Sequence, residues 1–236
     1  MRIMSGLITS WDEAVLSQII PHIDYTAALS PCEPSATVIQ ACQDTREFGF
    51  ATVDVYPTWA KLAAQHMQDS ASGILVTIGF PHGSTVTQSK VAETRQVLQD
   101  GATEIDMVMN LARFFDKDYT FVKNDIAEVV KVAADFGRTV KVIIEIGYLS
   151  DEQKIIAARI AVEAKAAYVK TCTGFAPGKA TLHDILLLKS IVGDDAKIKA
   201  SGGIASLEDQ REFIRCGADR VSGRENIVLQ LRQLKK

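Results

Sequence analysis

Two kinds of segment alternate along this chain. Short apolar segments rich in β-branched residues are separated by longer segments whose apolar residues recur with helical spacing. The short segments predict strands at 21–25, 51–56, 73–79, 104–109, 140–145, 167–172, 197–201 and 219–222. The longer segments predict helices at 10–20, 33–48, 57–69, 85–100, 118–136, 150–164, 181–192, 206–216 and 224–235.

Local signals mark several helix ends. Two S-x-x-E/Q capping boxes are predicted, at Ser10–Glu13 and Ser150–Gln153, and glycines suited to C-caps follow at 49, 101 and 217.

Eight strands alternating with helices in 236 residues are typical of a parallel (β/α)8 barrel. We therefore predict a single domain over residues 1–236. An open doubly wound sheet is the alternative, and the absence of a G-x-G-x-x-G turn disfavours it.

Polar residues recur at every second position of the strand segments. Side chains of a strand alternate between its two faces, and helices cover the outside of a parallel barrel, so the polar face points inward. Four acids and four lysines are thereby predicted inside the barrel: Asp54, Glu104, Asp106 and Glu145 with Lys141, Lys170, Lys197 and Lys199. Charges are costly there and barrel interiors are usually aliphatic, which favours a functional site. A salt-bridge network that only stabilises the fold is the other interpretation.

Three of these residues suggest a specific chemistry. Lys170 and Lys199 lie late in neighbouring strands, near the end of the barrel where such enzymes bind substrates. Two adjacent ammonium groups lower each other's pKa, and burial acts in the same direction. The resulting free amine can attack a carbonyl to form a Schiff base, while Asp106 transfers protons. Singly, each residue would more simply be a salt-bridge partner.

The amino-acid composition limits the kinds of molecule that this protein is expected to bind. A formal net charge of −3 gives no general attraction to nucleic acid or anionic membranes. The first residues contain no apolar signal core, so we expect a cytoplasmic protein, and its four cysteines are expected to be free thiols. The histidines are scattered, and we expect no metal and no other cofactor.

Seven strings, in order, cover nearly the whole chain and resemble the deoxyribose-phosphate aldolase family. They are IDYTAAL (23–29, one Ala more than usual), TIGFPHGS (77–84), GATEIDMVMN (101–110), VKVIIEIG (140–147), AAYVKTCTGF (166–175), IKASGGI (198–204) and GADRV (217–221). The resemblance implies a metal-independent class I aldolase of nucleoside catabolism. Such an enzyme reversibly cleaves 2-deoxy-D-ribose 5-phosphate to acetaldehyde and D-glyceraldehyde 3-phosphate.

The resemblance also implies residue roles. Lys170 would form the Schiff base, Lys199 would be the cation that lowers its pKa, and Asp106 would relay protons. Supporting polar positions of the family are matched by Asp24, Thr26 and Lys141. Because family members are often dimers, a homodimer is also expected.

Members of this family bind the phosphate of the substrate with three stretches of sequence, and this chain matches them only in part. Two of the three stretches are present, namely Thr173 and Gly174, and Ser201, Gly202 and Gly203. The third, usually I-G-x-S-S, reads V-S-G-R-E-N here, with Ser222, Gly223 and Arg224 in place. Arg224 could clamp a phosphate, although the adjacent Glu225 would repel one. Alternatively both face solvent, and Gly223 with the helix N-terminus holds the anion.

A second departure is Asp54, where the family commonly has cysteine. This acid could pair with Lys170 or Lys199, or hydrogen-bond a substrate hydroxyl. Two alternative functions therefore stay open. One is an aldolase of the same mechanism with a different or unphosphorylated acceptor, and the other is a non-catalytic barrel that binds a sugar phosphate.

Overall fold

Eight parallel strands close into a barrel in the order of the sequence. The computed structural model describes residues 11–234 of the chain. The strands are β1 (Ile23–Ala28), β2 (Thr52–Val55), β3 (Gly73–Ile78), β4 (Glu104–Val108), β5 (Thr139–Ile143), β6 (Tyr168–Lys170), β7 (Lys197–Ala200) and β8 (Arg220–Gly223). Strand β8 pairs with β1 and so closes the sheet. The predicted (β/α)8 fold is confirmed, and the open sheet is excluded because such a sheet would leave β1 and β8 unpaired.

Helices connect the strands and cover the outside of the barrel. They are α1 (Glu13–Leu16), α2 (Ser35–Phe48), α3 (Ala60–His66), α4 (Thr87–Gln99), α5 (Leu111–Phe115), α6 (Tyr119–Asp135), α7 (Asp151–Glu163), α8 (Leu182–Val192), α9 (Leu207–Arg215) and α10 (Glu225–Leu234). The capping box at Ser150 and Gln153 is confirmed, and Gly49 ends α2 in the left-handed conformation with φ 76°. None of the helices within residues 11–234 is long and apolar enough to cross a membrane.

The amino-terminal elements differ from the prediction. The helix predicted over 10–20 is reduced to the four residues of α1, where the Asp12 side chain accepts the Val15 N–H at 2.9 Å. Ser10 lies outside the described residues. Strand β1 begins at Ile23 rather than 21, because Pro21 has no N–H to donate and residues 20–22 form a 3₁₀ turn. Helix α5 was not predicted.

The alternation within the strands is confirmed with one correction. Apolar residues such as Val53, Ile105 and Val142 are fully buried beneath the helices, and most of the predicted charges point inward. Lys197 does not: it is exposed, and its Nζ lies 5.7 Å from the centre of the Tyr168 ring. Because Lys197 is the first residue of β7, its side chain reaches solvent at the amino-terminal rim.

Candidate active site

The centre of the site is a carboxylate shared by two lysines. Lys170 ends β6, Lys199 lies opposite it on β7, and Asp106 lies in the middle of β4. Lys170 Nζ lies 2.5 Å and Lys199 Nζ 2.8 Å from the same oxygen, Asp106 Oδ2. Because both distances end on the same oxygen, the two lysine nitrogens are no more than 5.3 Å apart. The structure therefore brings together the three residues predicted to act in catalysis.

A second layer of charges surrounds this centre and continues toward the amino-terminal end of the barrel. Asp24 Oδ2 lies 2.8 Å from Lys199 Nζ and 3.7 Å from Lys141 Nζ. Lys141 also donates a hydrogen bond to Glu104, whose side chain is 18% exposed. Arg220 donates to Asp24 Oδ1 at 2.5 Å and to Glu104 Oε1 at 3.0 Å. Each buried cation of this layer thus has a carboxylate partner.

The two lysines differ in their protonation. Burial lowers the pKa of Lys170, and the charge of Lys199 lowers it further, against the opposing effect of Asp106. Burial also disfavours the charge of Lys199, but the carboxylates of Asp106, Asp24 and Asp54 outweigh it and raise the pKa of Lys199. The two ammonium groups repel each other, but the net result is a lowered pKa for Lys170 only, and burial lowers that pKa more than the repulsion does. This corrects the symmetric effect expected from the sequence.

Asp106 stays ionised beside the two lysines. Burial by itself would raise the pKa of this carboxyl, but Lys170 and Lys199 outweigh burial and lower the pKa to about 2. The Asp106 carboxylate is therefore available as a proton acceptor near neutral pH.

Asp54 points into the same interior from β2, yet it has no hydrogen-bond partner. Its Oδ2 lies 3.9 Å from Lys199 Nζ, and neither carboxylate oxygen accepts a hydrogen bond. Burial raises the pKa of Asp54 to about 7. The expected pairing with a lysine is therefore limited to a long contact with Lys199.

A cavity of about 330 Å³ opens at the carboxyl end of the barrel above this cluster. Its wall follows β1, β6, β7 and β8, and it includes Thr26, Lys170, Thr173, Gly174, Ser201, Gly202, Gly203, Ser222 and Arg224. Of the three central residues, Lys170 lines the cavity, whereas Asp106 and Lys199 lie beneath it. Such a volume suits a small-molecule ligand. A molecule in this cavity would meet the Lys170 amine first.

Two glycine-containing turns line the cavity, one at Gly174 and the other at Gly202 and Gly203. Gly202 and Gly203 have φ of 97° and 77°, and a Cβ on Gly202 would lie only 2.8 Å from Cys172 Cβ. Only glycine fits this turn without strain. Not every backbone amide there is free, since the Ser201 N–H donates to Thr171 Oγ1 and the Thr173 N–H donates to Glu145.

The third predicted anion-binding stretch lies at the start of α10. Ser222 is buried, and its hydroxyl oxygen has no hydrogen-bond partner. The carbonyl of Gly223 accepts a hydrogen bond from Thr26 Oγ1 at 3.0 Å. Arg224 Nε and Glu225 Oε2 are 3.9 Å apart, and both side chains are 56% exposed. Arg224 therefore lines the cavity from its solvent edge and is not held firmly by its neighbour.

Two inward-pointing residues were not assigned to the site from the sequence. Arg220 lies two positions before Ser222 on β8, so the alternation could have placed both on the inner face. Glu145 was expected inside, but its function was not: at φ 53° it accepts the Thr173 N–H and fixes the turn after β6. Within residues 11–234, no group of three or more His, Cys, Asp or Glu side chains is arranged to hold a metal ion.

A buried lysine with a lowered pKa, lining a cavity beside an ionised carboxylate, is typical of enzymes that form Schiff bases with carbonyl substrates. Comparison with known proteins agrees with this class. Residues 18–224 match the model of the DeoC/LacD family of aldolases. The chain therefore belongs to the DeoC/LacD aldolase family, which confirms the resemblance seen in the sequence.

Individual relatives cover most of the chain. A deoxyribose-phosphate aldolase of Thermococcus kodakarensis is 45% identical over 86% of this chain and 92% of its own length. A deoxyribose-phosphate aldolase of Caldanaerobacter subterraneus is 41% identical over 92% of this chain and 94% of its own length. The solved structure of a deoxyribose phosphate aldolase from Aeropyrum pernix, described as tetrameric, superposes with a TM-score of 0.84 at 26% identity, covering 94% of this chain and 97% of that one.

Proposed function

We propose that this protein is a class I aldolase that reversibly cleaves 2-deoxy-D-ribose 5-phosphate to acetaldehyde and D-glyceraldehyde 3-phosphate. The observation that carries the proposal is the sharing of Asp106 Oδ2 by Lys170 and Lys199, at 2.5 and 2.8 Å, with Lys170 alone of the three lining the cavity. The relatives described as deoxyribose-phosphate aldolases support the choice of substrate.

In this mechanism Lys170 is the nucleophile. Its unprotonated amine adds to the aldehyde carbonyl of the open-chain sugar, and loss of water from the carbinolamine gives an imine. Asp106 accepts and returns the protons that these steps move, directly or through water. The imine withdraws electrons from the adjacent C2, so the C2–C3 bond breaks as the C3 hydroxyl gives up its proton to a base. D-Glyceraldehyde 3-phosphate leaves, and the electron pair of the broken bond remains in an enamine on Lys170. Protonation and hydrolysis of the enamine release acetaldehyde and restore Lys170.

Lys199 and the second layer hold this centre in position. Because its three carboxylate neighbours keep Lys199 charged, it remains an electrostatic partner rather than a second nucleophile. We assign Asp24 and Lys141 to the support of this pair, and Thr26 to the wall of the substrate cavity. No step of this reaction calls for a metal, since the imine supplies the electron withdrawal that a metal ion would otherwise provide.

The phosphate is assigned to the end of the cavity farthest from the barrel interior. Gly174, Gly202 and Gly203 allow an oxyanion close to the backbone, and the amino terminus of α10 adds a favourable dipole. Ser222 offers a hydroxyl without another partner. Arg224 adds a charge at the rim.

A steady-state cleavage assay with 2-deoxy-D-ribose 5-phosphate, detecting acetaldehyde, tests the proposal. Wild-type protein should turn over, and Lys170→Met should reduce kcat by at least about a thousandfold while retaining its fold. Lys197→Met is the matched control, because Lys197 is exposed on the neighbouring strand. A folded Lys170→Met variant with near wild-type activity would contradict the mechanism, whereas its inactivity would exclude a non-catalytic barrel.

A second candidate is an aldolase of the same mechanism that acts on an unphosphorylated acceptor. The opposite charges of Arg224 and Glu225 at the cavity rim favour it, because the carboxylate opposes an anionic substrate. Comparing kcat/KM for deoxyribose with and without the 5-phosphate separates the two. Equal values would remove the phosphate assignment without affecting the lysine chemistry.

Assembly and location remain predictions. The homodimer and the cytoplasmic location expected from the sequence can be checked by light scattering and by fractionation. The Aeropyrum pernix relative is described as tetrameric, so a dimer is not the only assembly found in relatives of this chain.

A further inference from the structure

Among the inward-pointing acids of residues 11–234, Asp54 is the one that has neither a hydrogen-bond partner nor a role in the mechanism above. Its side chain is fully buried, both oxygens lack a hydrogen-bond partner, and Lys199 Nζ is 3.9 Å away. A buried carboxylate ordinarily has donors that stabilise its charge. The position therefore calls for a physical explanation.

Ionisable groups from five parts of the barrel act on Asp54. They are Lys199, Asp106, Lys170, Asp24 and, on its own strand end, Tyr56. Four cations and four carboxyl groups form one network of ion pairs in the barrel interior: Lys141, Lys170, Lys199 and Arg220 with Asp24, Asp54, Glu104 and Asp106. Glu145 makes no ion pair in this network and instead accepts the Thr173 N–H. When Lys170 loses its proton, the cluster stays neutral only if one carboxyl gains a proton. Asp54 is the member that no hydrogen bond holds in its ionised form.

We propose that the charge of Asp54 sets the pH range over which Lys170 reacts. The ionised carboxylate keeps the proton on Lys170, and the protonated carboxyl lets that proton leave. The exchange is balanced, because Lys170–NH₃⁺ with Asp54–COO⁻ becomes Lys170–NH₂ with Asp54–COOH at constant net charge. Asp54 thus acts through Lys170 as a positioning residue, and this inference rests on the proposed Schiff-base function.

The consequence concerns the rate of imine formation as a function of pH: on the acidic side of this profile, the rate rises over a broader pH range. As the pH falls toward 7, Asp54 takes up a proton, and the loss of its negative charge favours the free amine of Lys170. Two groups that titrate against each other in this way lose their protons over a wider pH range than a single group does.

The structure sets the size of the effect. The path from Asp54 Oδ2 through Lys199 and Asp106 to Lys170 Nζ runs 3.9, 2.8 and 2.5 Å, so the direct distance is at most 9.2 Å. At an effective dielectric constant of about 20, two unit charges this close shift each other's pKa by at least about one unit.

The test is the pH dependence of imine formation. The full chain is incubated with acetaldehyde and cyanoborohydride from about pH 5 to 9, and the initial rate of labelling is measured by mass spectrometry. Asp54→Asn removes the charge at nearly constant volume. Thr77→Val is the matched control, because Thr77 on β3 is also buried with an unpartnered oxygen but carries no charge. Melting temperatures check that each variant is folded.

For Asp54→Asn we expect a midpoint about one pH unit below that of wild type, and a steeper limb that fits a single proton. Thr77→Val should follow wild type. Should Asp54→Asn fail to fold, Asp54→Cys, neutral over most of this range, should show the same shift. Superimposed wild-type and Asp54→Asn curves, or an upward shift, would overturn this inference alone. Wild-type protein that is not labelled at any pH would overturn the proposed function with it.

Discussion

Replacing Lys199 by methionine removes one positive charge beside Lys170 and keeps a similar length of side chain. In the wild-type protein the charge of Lys199 lowers the pKa of Lys170, whereas that of Asp106 raises it. Without Lys199, Lys170 is the one lysine that still donates a hydrogen bond to Asp106, and Lys141 Nζ lies 3.8 Å from Asp106 Oδ1. Both changes favour the protonated ammonium, so the pKa of Lys170 should rise and less free amine should be present at neutral pH.

The magnitude follows from the distance between the two amines. They are at most 5.3 Å apart, because they share Asp106 Oδ2 at 2.5 and 2.8 Å. With an effective dielectric constant of about 20, their repulsion is about 3 kcal/mol, or about two pKa units. The acid limb of imine formation should therefore move up by about two pH units. At pH values below both midpoints the labelling rate should fall about a hundredfold.

The assay is labelling with acetaldehyde and cyanoborohydride as a function of pH, with Lys197→Met as the control for loss of a lysine. Because Lys199→Met leaves Asp24 and Asp106 with fewer partners, it should destabilise the fold by about 3–5 kcal/mol. The double variant Lys199→Met/Asp24→Asn removes one of these carboxylates and provides a more stable background. A midpoint equal to that of wild type in a folded variant would refute the electrostatic coupling between the lysines.

Three further outcomes are expected. Burial raises the pKa of Asp54 from 3.8 to about 7, so the folded state binds the Asp54 proton more tightly than the unfolded state does. Between pH 4 and 7 the unfolding free energy of wild type, measured by urea titration, should fall by about 3 kcal/mol relative to that of Asp54→Asn. An equal pH dependence of the two proteins would contradict this. Arg224→Ala should raise KM for the phosphorylated sugar a few-fold and Glu225→Ala should lower it, whereas changes of equal sign would place the phosphate elsewhere. Lys90→Met removes one partner of a fully buried ion pair, in which Lys90 Nζ lies 2.6 Å from Asp125 Oδ2, and should lower the free energy of unfolding in urea by about 3–5 kcal/mol. Adding Asp125→Leu should restore much of that stability. If it restores none, the broken ion pair is not the cause of the loss.

The fold was predictable because hydrophobic periodicity determines it. Each strand segment buries one apolar face beneath helices, and Val53 and Val142 lie where a period of two places them. Apart from helix α5, which the sequence did not predict, the errors lie at the ends of elements. Lys197 follows the period but begins its strand, so its side chain escapes at the rim. Arg220 follows the same period on β8 and enters the charge network.

The grouping of the catalytic candidates was also predictable, but their charge states were not. Alternation and strand order place Lys170, Lys199 and Asp106 on one inner surface. The different pKa values of the two lysines depend on Asp24 and Asp54, which come from β1 and β2 and meet β7 only after the barrel has closed. Sequence spacing contains no distance across the barrel. The same holds for the amides of Ser201 and Thr173, whose partners lie on other loops.

The most direct measurement is to identify the residue that acetaldehyde labels. The protein is treated with acetaldehyde and borohydride, digested, and the modified peptide is sequenced by mass spectrometry. We expect one adduct, on Lys170, because Lys170 lines the cavity and burial lowers its pKa, while carboxylates keep Lys199 protonated. An adduct on Lys199, or unmodified Lys170 in a folded and active protein, would contradict this expectation.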